Sequence, residues 1–358
     1  MSRVLLAMSG GVDSSVAALL LQEAGHEVIG IYMNLWRDEE LISPENYEKI
    51  RSRLQVLREK LKIEILEMDY QEYFKETVVQ YFLDSHRAHL TPNPCIFCNR
   101  QIKFGLLQRE RVRLNCDYLS TGHYAQIKKR SNGDLALFPG EYLAKDQSYF
   151  LYNLQASDLA TVYFPLGGMT KPEVREKALA AGWVDINSQK ESQGVCFLGG
   201  KSYLLFLERY APELFVPGNI ILNDEIVGRH QGLVRYTIGQ RRGVEVGGQG
   251  DPVYVSGFDL EKNQLIVARD EQVFCSKVNL KNWILTGSEI GKWEKGVEDM
   301  IFMGRLRHLG YLNPVKIQII SDQEVELNFQ VPVRAITSGQ SVVLYREDGS
   351  VFGGGEII

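Results

Sequence analysis

Ser9-Gly10-Gly11-Val12-Asp13-Ser14-Ser15 follows the apolar run Val4-Leu5-Leu6-Ala7 and precedes Val16-Ala17-Ala18-Leu19-Leu20-Leu21. This order predicts a buried strand, a tight turn and a helix. Paired glycines let the backbone fold close to a ligand, and the helix N-terminus behind them offers unpaired N–H groups and a positive dipole end. The serines add hydroxyl donors. Such a pocket suits a phosphate chain, yet it lacks the lysine that a Walker A loop places after its last glycine. A phosphate site without that lysine must use a nucleotide in another way. The alternative for the stretch alone is a Gly-rich turn with no ligand.

At 358 residues the chain exceeds one ordinary core, and two or three domains are expected. Its 44% hydrophobic and 24% charged content is that of a soluble globular protein. No apolar run approaches a membrane span, and the N-terminus enters a strand without a signal-peptide pattern, so the expected location is cytoplasmic, with no membrane partner. Cys95, Cys98, Cys116, Cys196 and Cys275 argue against a disulfide framework and for thiol chemistry or metal ligation at some of them. A net charge of −5 does not advertise nucleic-acid binding, which depends on a local basic surface rather than on the total.

Outward from the loop, the first helix ends near Ala24-Gly25, where glycine suits a left-handed cap. His26 to Met33 reads as a second strand, which makes a βαβ unit with its loop at the carboxyl end of strand one. Met33 ends that strand beside the same crevice; an ordinary core methionine is the other reading. A helix opens at Ser43-Pro44 and places Tyr47, Ile50, Leu54, Leu57 and Leu61 on one face. Lys62 to Asp69 is a strand and Gln71 to Ser85 a helix, and the alternation is that of a doubly wound α/β domain.

In Thr91-Pro92-Asn93-Pro94-Cys95-Ile96-Phe97-Cys98-Asn99-Arg100 the prolines predict an extended loop that leads into a helix at Gln101. A thiol at a helix N-terminus has a lowered pKa; a structural zinc or buried thiols would use the same spacing. Cys116 reads as core. Ser120-Thr121-Gly122-His123-Tyr124-Ala125 ends another strand, with Gly122 allowing close backbone approach to a nucleotide and His123 directed into the crevice or packed and hydrogen-bonded. Asn132-Gly133 predicts a hairpin. Lys145-Asp146-Gln147-Ser148 opens a helical stretch to Leu154, and Thr170-Lys171-Pro172-Glu173 is a capping box into a helix ending at Ala181-Gly182. Cys196, in Glu191-Ser192-Gln193-Gly194-Val195-Cys196-Phe197-Leu198-Gly199, has the small and polar neighbours of an accessible thiol.

After a helix from Ser202 to Tyr210 the pattern changes to short strands with Gly turns, marking a boundary near Lys201 to Tyr203. Between Gly228 and Glu245, Arg229, Arg235, Arg241 and Arg242 stand against Glu245, with His230 and Tyr236 interleaved. This is either solvated surface charge or the arginine-plus-aromatic surface that RNA requires. From about Phe274, strands at Leu306–Leu309, Val315–Ile319, Val325–Phe329 and Ser341–Tyr345 suggest a small β-barrel or sandwich. Cys275 has no motif around it and reads as structural.

Ser9 to Ser15 resembles the PP-loop signature of ATP pyrophosphatases, which cleave between the α- and β-phosphates and adenylate an oxygen of the substrate. Taken with Asn93–Asn99, Thr121–Ala125, Lys145–Leu151, Glu191–Gly199 and Tyr236–Gly243, in this order and spacing, the chain resembles the tRNA-specific 2-thiouridylase family along essentially its whole length. The resemblance implies a doubly wound parallel-sheet α/β PP-loop domain over 1–203, a small mixed or β domain over 204–273 and a C-terminal β-barrel over 274–358, the last two contacting tRNA. It implies ATP and Mg²⁺ at Ala7, Met8, Ser9, Gly10, Gly11, Val12, Asp13, Ser14, Met33 and Gly122, with Asp13 helping to hold the metal. It implies tRNA contacts at Asn93, Pro94, Cys95, His123, Lys145, Asp146, Gln147, Arg307, His308 and Gln340. His308 departs from the tyrosine common there.

The implied reaction is 2-thiolation of the wobble uridine of tRNAs for Lys, Glu and Gln. The base is flipped out, its C2 oxygen is adenylated, and sulfur arrives as a persulfide on Cys196 from a cysteine desulfurase or relay protein. Cys98 is the implied nucleophile and resolving thiol. The family often has aspartate where this chain has Cys95; with Cys98 and Cys196 it makes a candidate ligand set for a [4Fe–4S] cluster, and the persulfide and cluster routes stand side by side. Another PP-loop ligase or amidotransferase would leave the cysteines idle. A non-catalytic tRNA-binding protein would leave the nucleotide loop idle.

Overall fold

β1 (Arg3–Ala7) carries Val4, Leu5 and Leu6 in succession, all buried, the pattern of a strand covered on both faces. This computed structural model describes residues 1–187, 194–244, 246, 252–288 and 292–358. Glu191, Ser192 and Gln193 of the distal cysteine motif, and Glu245 of the basic stretch, lie outside the described residues. β1 pairs in parallel with β2 (Glu27–Asn34), which pairs with β3 (Glu64–Asp69). On its other side β1 pairs with β4 (Tyr118–Ser120). A hairpin of β5 (Ala125–Lys129) and β6 (Leu135–Pro139) turns at Gly133, and β7 (Val162–Tyr163) returns to β4. The order β3-β2-β1-β4-β7 reverses at β1, so the carboxyl ends of β1 and β4 form the topological switch point where open α/β sheets bind ligands.

One face of the sheet is covered by α1 (Val12–Glu23) and α2 (Pro44–Leu61), whose Val16, Leu21, Leu54 and Leu57 pack on Leu6, Val28 and Ile65. The other face, with Leu5, Ile29, Ile31 and Leu119, meets Phe104, Leu107 and Tyr149. The predicted helices at Ser43-Pro44, Thr170 and Ser202 form; Thr170 makes its expected capping box, whereas Ser43 stands at the N-cap without a side-chain capping bond. Lys62, expected in a strand, is instead the left-handed C-cap of α2 at φ 51°.

Three expectations fail. The segment at Cys95 and Cys98 is not a loop: helix begins at Pro94–Cys98 and runs through a π-helical stretch, Asn99–Leu106, into Leu107–Arg113. Proline restricts the residue before it but fits the first helical turn, so Pro94 starts the helix rather than extending the chain. Leu306–Leu309 is not a strand, since the chain leaves the sheet after Arg305 and turns through Leu309 at φ 55°. The helix expected up to Leu154 is only the 3₁₀ turn Ser148–Leu151.

A second sheet, ordered β10-β11-β8-β9, is built from β8 (Gly218–Leu222), β9 (Glu225–His230), β10 (Tyr254–Asp259) and β11 (Gln264–Ala268), over a core of Ile220, Leu222, Val255 and Leu265. The last unit is a closed barrel, not a sandwich. Its strands are β12 (Phe274–Leu285), β13 (Phe302–Arg305), β14 (Asn313–Ile319), β15 (Val325–Arg334), β16 (Ser341–Tyr345) and β17 (Val351–Ile357), ordered β12-β15-β14-β13-β16-β17 around Trp283, Phe302 and Phe352. Closure removes the edges that a sandwich leaves open. No helix among the described residues is long and apolar enough to cross a membrane.

The barrel is fastened to the first sheet's domain by buried polar contacts. Arg305 Nη1 donates to Asp146 Oδ2 at 2.8 Å, and Asp146 also accepts from the Ser148 N–H at 2.9 Å and the Ser148 hydroxyl at 3.0 Å. Tyr149 donates its hydroxyl to Ser341 O at 2.8 Å. Asp146 is fully buried, so removing its cation leaves an uncompensated charge. Arg305→Met is expected to lower stability by about 3–5 kcal/mol, read as a drop in the urea midpoint of unfolding; a shift below about 1 kcal/mol would mean that the junction does not depend on this pair.

Candidate active site

Beyond β1 the chain turns sharply at Gly10, φ +71°, into the N-terminus of α1. The serines hold the turn's shape rather than standing free. Ser14 Oγ accepts the Ser9 N–H at 3.2 Å and donates to Gly11 O at 3.1 Å; Ser15 Oγ donates to Gly11 O at 2.8 Å. Within α1 the first N–H group to find its acceptor is that of Ser15, so among the described residues the N–H groups of Val12, Asp13 and Ser14 have no acceptor and point out at the positive end of the helix. Met8 is buried with its thioether against Gly30, leaving no side chain for a nucleotide, whereas Ala7 and Met33 are half-buried. A Cβ on Gly122 would lie 3.1 Å from Asp13 C and Ser14 N. The glycine expected to admit a nucleotide therefore also admits the loop itself.

Asp13 is gripped by two residues to which the sequence assigned no role. Lys171 Nζ lies 2.7 and 2.8 Å from its carboxylate oxygens, and the Tyr124 hydroxyl donates to Oδ1 at 2.7 Å. Tyr124 is positioned by Gln147: the Tyr124 N–H donates to Gln147 Oε1 at 3.0 Å and the Gln147 N–H to Tyr124 O at 2.9 Å. Lys171 is buried at the first position of a helix, where the dipole disfavours a cation. That conflict was the available signal: a lysine there calls for a carboxylate partner. Asp13 remains partly exposed at the mouth of the loop, with its carboxylate oxygens already held by Lys171 and Tyr124.

Cys95 and Cys98 lie three residues apart, one turn of helix. Asn99 Nδ2 donates to Phe150 O at 3.0 Å and Asn153 Nδ2 to Ile96 O at 3.3 Å, which anchors this turn to the 3₁₀ segment. Cys98 is buried in a cluster with Phe82, Ile102 and Phe197, so the residue after Cys196 packs against the second helical thiol. Cys196 itself is exposed and Cys95 half-buried. One turn beyond Cys98, Lys103 Nζ donates to His123 Nε2 at 3.4 Å. Nε2 is then an acceptor, and the proton on Nδ1 goes to Thr121 Oγ1 at 2.6 Å. Burial, and the Lys103 charge after it, hold His123 well below the ordinary histidine range, so it is a neutral, packed histidine.

The thiols are not acidified as the helix N-terminus suggested. Burial pushes Cys98 up to about 12 and raises Cys95; Lys103 pulls both down by less. Crowding by the crevice walls pushes Cys196 up to about 11, with Cys95 adding and Lys103 opposing. Because Cys196 is solvent-exposed, water screens part of that push. Desolvation outweighs the dipole. Alkylation of Cys196 should therefore accelerate with pH throughout pH 7–9, since the thiolate fraction keeps growing below the pKa. Lys103→Met, which removes the one named cation, is expected to slow alkylation at pH 8 by about threefold to tenfold, half to one pKa unit; an unchanged rate would remove Lys103 from the site.

The remaining expected RNA contacts separate into exposed and buried. Arg307, Arg241 and Arg242 are exposed; Asn93, Lys145 and Gln147 are half-buried and Pro94 is buried. Asp146, as the buried partner of Arg305, presents no surface to RNA, and this corrects its reading as a contact. His308 packs on Phe150 with ring centroids 4.4 Å apart and planes tilted by 39°. Gln340 Nε2 donates to Thr91 O at 2.8 Å, two residues before Asn93, and so props the cysteine segment from the barrel. Cys116 is core as expected, whereas Cys275, read as structural, is exposed.

Three family models match this chain in series: tRNA methyl transferase HUP domain over residues 2–200, tRNA methyl transferase PRC-barrel domain over 205–269, and aminomethyltransferase beta-barrel domain over 277–357. The tRNA-specific 2-thiouridylase MnmA of Lachnoclostridium phytofermentans is 38% identical over 364 residues, covering 100% of both chains. The protein of the same name from Bacillus subtilis is 39% identical over 365 residues, covering 99% of this chain and 95% of its own. Among solved structures, a 4-thiouridine synthetase–RNA complex with bound ATP aligns with a TM-score of 0.39 at 19% identity, over 59% of this chain and 51% of that one.

Proposed function

This chain belongs to the tRNA-specific 2-thiouridylase family, and on that premise we propose that it adenylates the C2 oxygen of the wobble uridine with ATP and replaces that oxygen by sulfur carried on Cys196. The observation that supports this assignment most is the meeting of two kinds of chemistry. Gly122 lies against the backbone of Asp13 and Ser14, and the next residue, His123, is bonded to Lys103, one turn beyond Cys98. Activation and sulfur delivery therefore share one crevice. The α1 N–H groups bind phosphate, and Asp13 with Lys171 orders the loop around the reacting phosphate. A flipped-out base is needed, because C2 is out of reach in a stacked loop.

Sulfur transfer balances with the two thiols alone. The terminal sulfur of the Cys196 persulfide attacks C2, and the C2–O bond breaks with AMP as leaving group. Cys98 then attacks Cys196 Sγ, the S–S bond to the transferred sulfur breaks, and the thione is released. The Cys98–Cys196 disulfide left behind needs an external dithiol to reopen it. Among the described residues no three His, Cys, Asp or Glu side chains are grouped to hold a metal ion, and no step is routed through a [4Fe–4S] cluster.

On this reading the chain divides into a catalytic domain over 1–203 and two RNA-contacting domains over 204–273 and 274–358. Exposed Arg241, Arg242 and Arg307 supply phosphate contacts. The substrates are tRNAs for Lys, Glu and Gln in the cytoplasm, and the persulfide comes from a cysteine desulfurase or relay protein. The test is nucleoside mass spectrometry after incubating the protein with ATP, Mg²⁺, tRNA transcripts, a cysteine desulfurase with cysteine as the persulfide source, and dithiothreitol to reopen the disulfide. 2-Thiouridine at the wobble position, with one AMP and one pyrophosphate per sulfur, is expected. Sulfur at another position or atom would overturn the assignment.

A further inference from the structure

Behind the cysteines lies a cavity of about 390 Å³ between the catalytic sheet's helices and the central sheet. Its wall includes Pro94 and Val195, the residues immediately before Cys95 and Cys196, so it opens one residue away from the sulfur chemistry on two sides. The other walls are aromatic and hydroxylated, with His86 and Tyr203 from the catalytic side and Tyr236 and Thr237 from the central side. His86 is only 9% exposed, and its ring stacks on Tyr203 at 5.5 Å and meets Phe82 edge-on at 4.6 Å. Among the described residues nothing hydrogen-bonds to its ring nitrogens. As part of the cavity lining, these nitrogens are left to a ligand or water there.

We propose that this cavity receives the nucleobase next to the wobble uridine in the anticodon loop, packed against Tyr236 and hydrogen-bonded at its edge by His86. The inference rests on the thiouridylase reading. Flipping one base unstacks its neighbours, and single-stranded bases are recognised by stacking on aromatic side chains and by hydrogen bonds to their edges. The volume is at the small end of the range for ligand pockets and has room for one nucleobase. Burial, with His89 nearby, pushes His86 down to about 4, so at neutral pH it offers one donor and one acceptor, as a base edge requires. The phosphates on either side of the base would meet the arginines of the loop that carries Tyr236.

The test uses single-turnover thiolation of anticodon stem-loop RNAs with ATP and sulfide, the RNA being intact or abasic at the 5′ or the 3′ neighbour of the wobble uridine. One of the abasic RNAs should raise KM about 5- to 150-fold, the range for one stacked base, with little change in kcat. His86→Phe keeps the ring packing and removes the nitrogens; it should raise KM for intact RNA and add nothing for the abasic RNA that matters. Tyr236→Leu gives the same comparison if His86→Phe lowers the unfolding midpoint. Equal KM for all RNAs, or effects of base and side chain that multiply, would overturn the proposal while leaving the thiolation reading intact. A defect seen only with a persulfide-bearing protein donor, and not with sulfide, would overturn it in favour of a donor site. Failure of the wild-type enzyme to thiolate intact RNA would bring down the function itself, and this inference with it.

Discussion

Asp13→Asn is expected to slow tRNA-dependent pyrophosphate release by about 10²–10³-fold, the scale of removing one preorganised electrostatic group from a reacting centre. Asp13 is a hard oxygen donor at the mouth of the phosphate loop, and both of its carboxylate oxygens are held by the buried Lys171. The pair acts as a unit, so Lys171→Met should lower the rate by a similar factor. The double variant should be little worse than either single one, because residues that work together are not additive. Asparagine keeps the shape and the hydrogen bond from Tyr124, but it leaves a buried ammonium without its counter-charge. Thermal unfolding should be followed alongside, and a rate loss that tracks unfolding would not count. If Lys171→Met left pyrophosphate release within twofold of wild type, the ion pair would be a feature of the resting protein only.

Cys196→Ser is expected to abolish thiolation, by about 10⁴-fold or more as for loss of a catalytic nucleophile, while leaving AMP and pyrophosphate formation within about threefold. The separation follows from the geometry. The phosphate loop is built from β1, α1, Tyr124 and Lys171, and among the described residues none of its hydrogen bonds is to Cys196. Serine cannot carry sulfane sulfur, so the adenylated base would accumulate and hydrolyse. Cys98→Ser should differ: it allows the first attack but blocks release, and a mixed disulfide between RNA and Cys196, reducible by dithiothreitol, should be trapped. If Cys196→Ser also stopped adenylation, the thiol would have a part in ordering the loop, and two separate stations would be the wrong description.

The strand, turn and helix around Ser9–Ser15 were legible because their signals are local. An apolar run, two glycines and a second apolar run of helix formers each fix backbone within a few residues. The hairpin at Asn132-Gly133, the capping box at Thr170 and the barrel strands at Val315, Val325 and Ser341 were readable for the same reason. Pro94 misled because one residue has opposite meanings on its two sides: it bars helix before it and starts helix after it. The thiol acidities misled because a helix N-terminus is visible in sequence, whereas the apolar cluster that buries Cys98 is assembled from Phe74, Phe82, Ile102 and Phe197, up to about a hundred residues away.

By itself, the sequence determined the elements, their order, the phosphate loop and the two thiol segments, since each is written in contiguous residues whose chemistry does not depend on what packs nearby. The partnerships were decided by the tertiary structure. Lys171 reaches Asp13 across 158 positions, Arg305 reaches Asp146 across 159, and Gln340 reaches Thr91 across 249. Charges and amides so far apart in the chain are brought together by the sheet order and barrel closure, and their burial sets which are silent ion pairs and which can act. Long-range pairing is the property that no local pattern encodes, and here it orders the phosphate loop, fastens the barrel and props the cysteine helix.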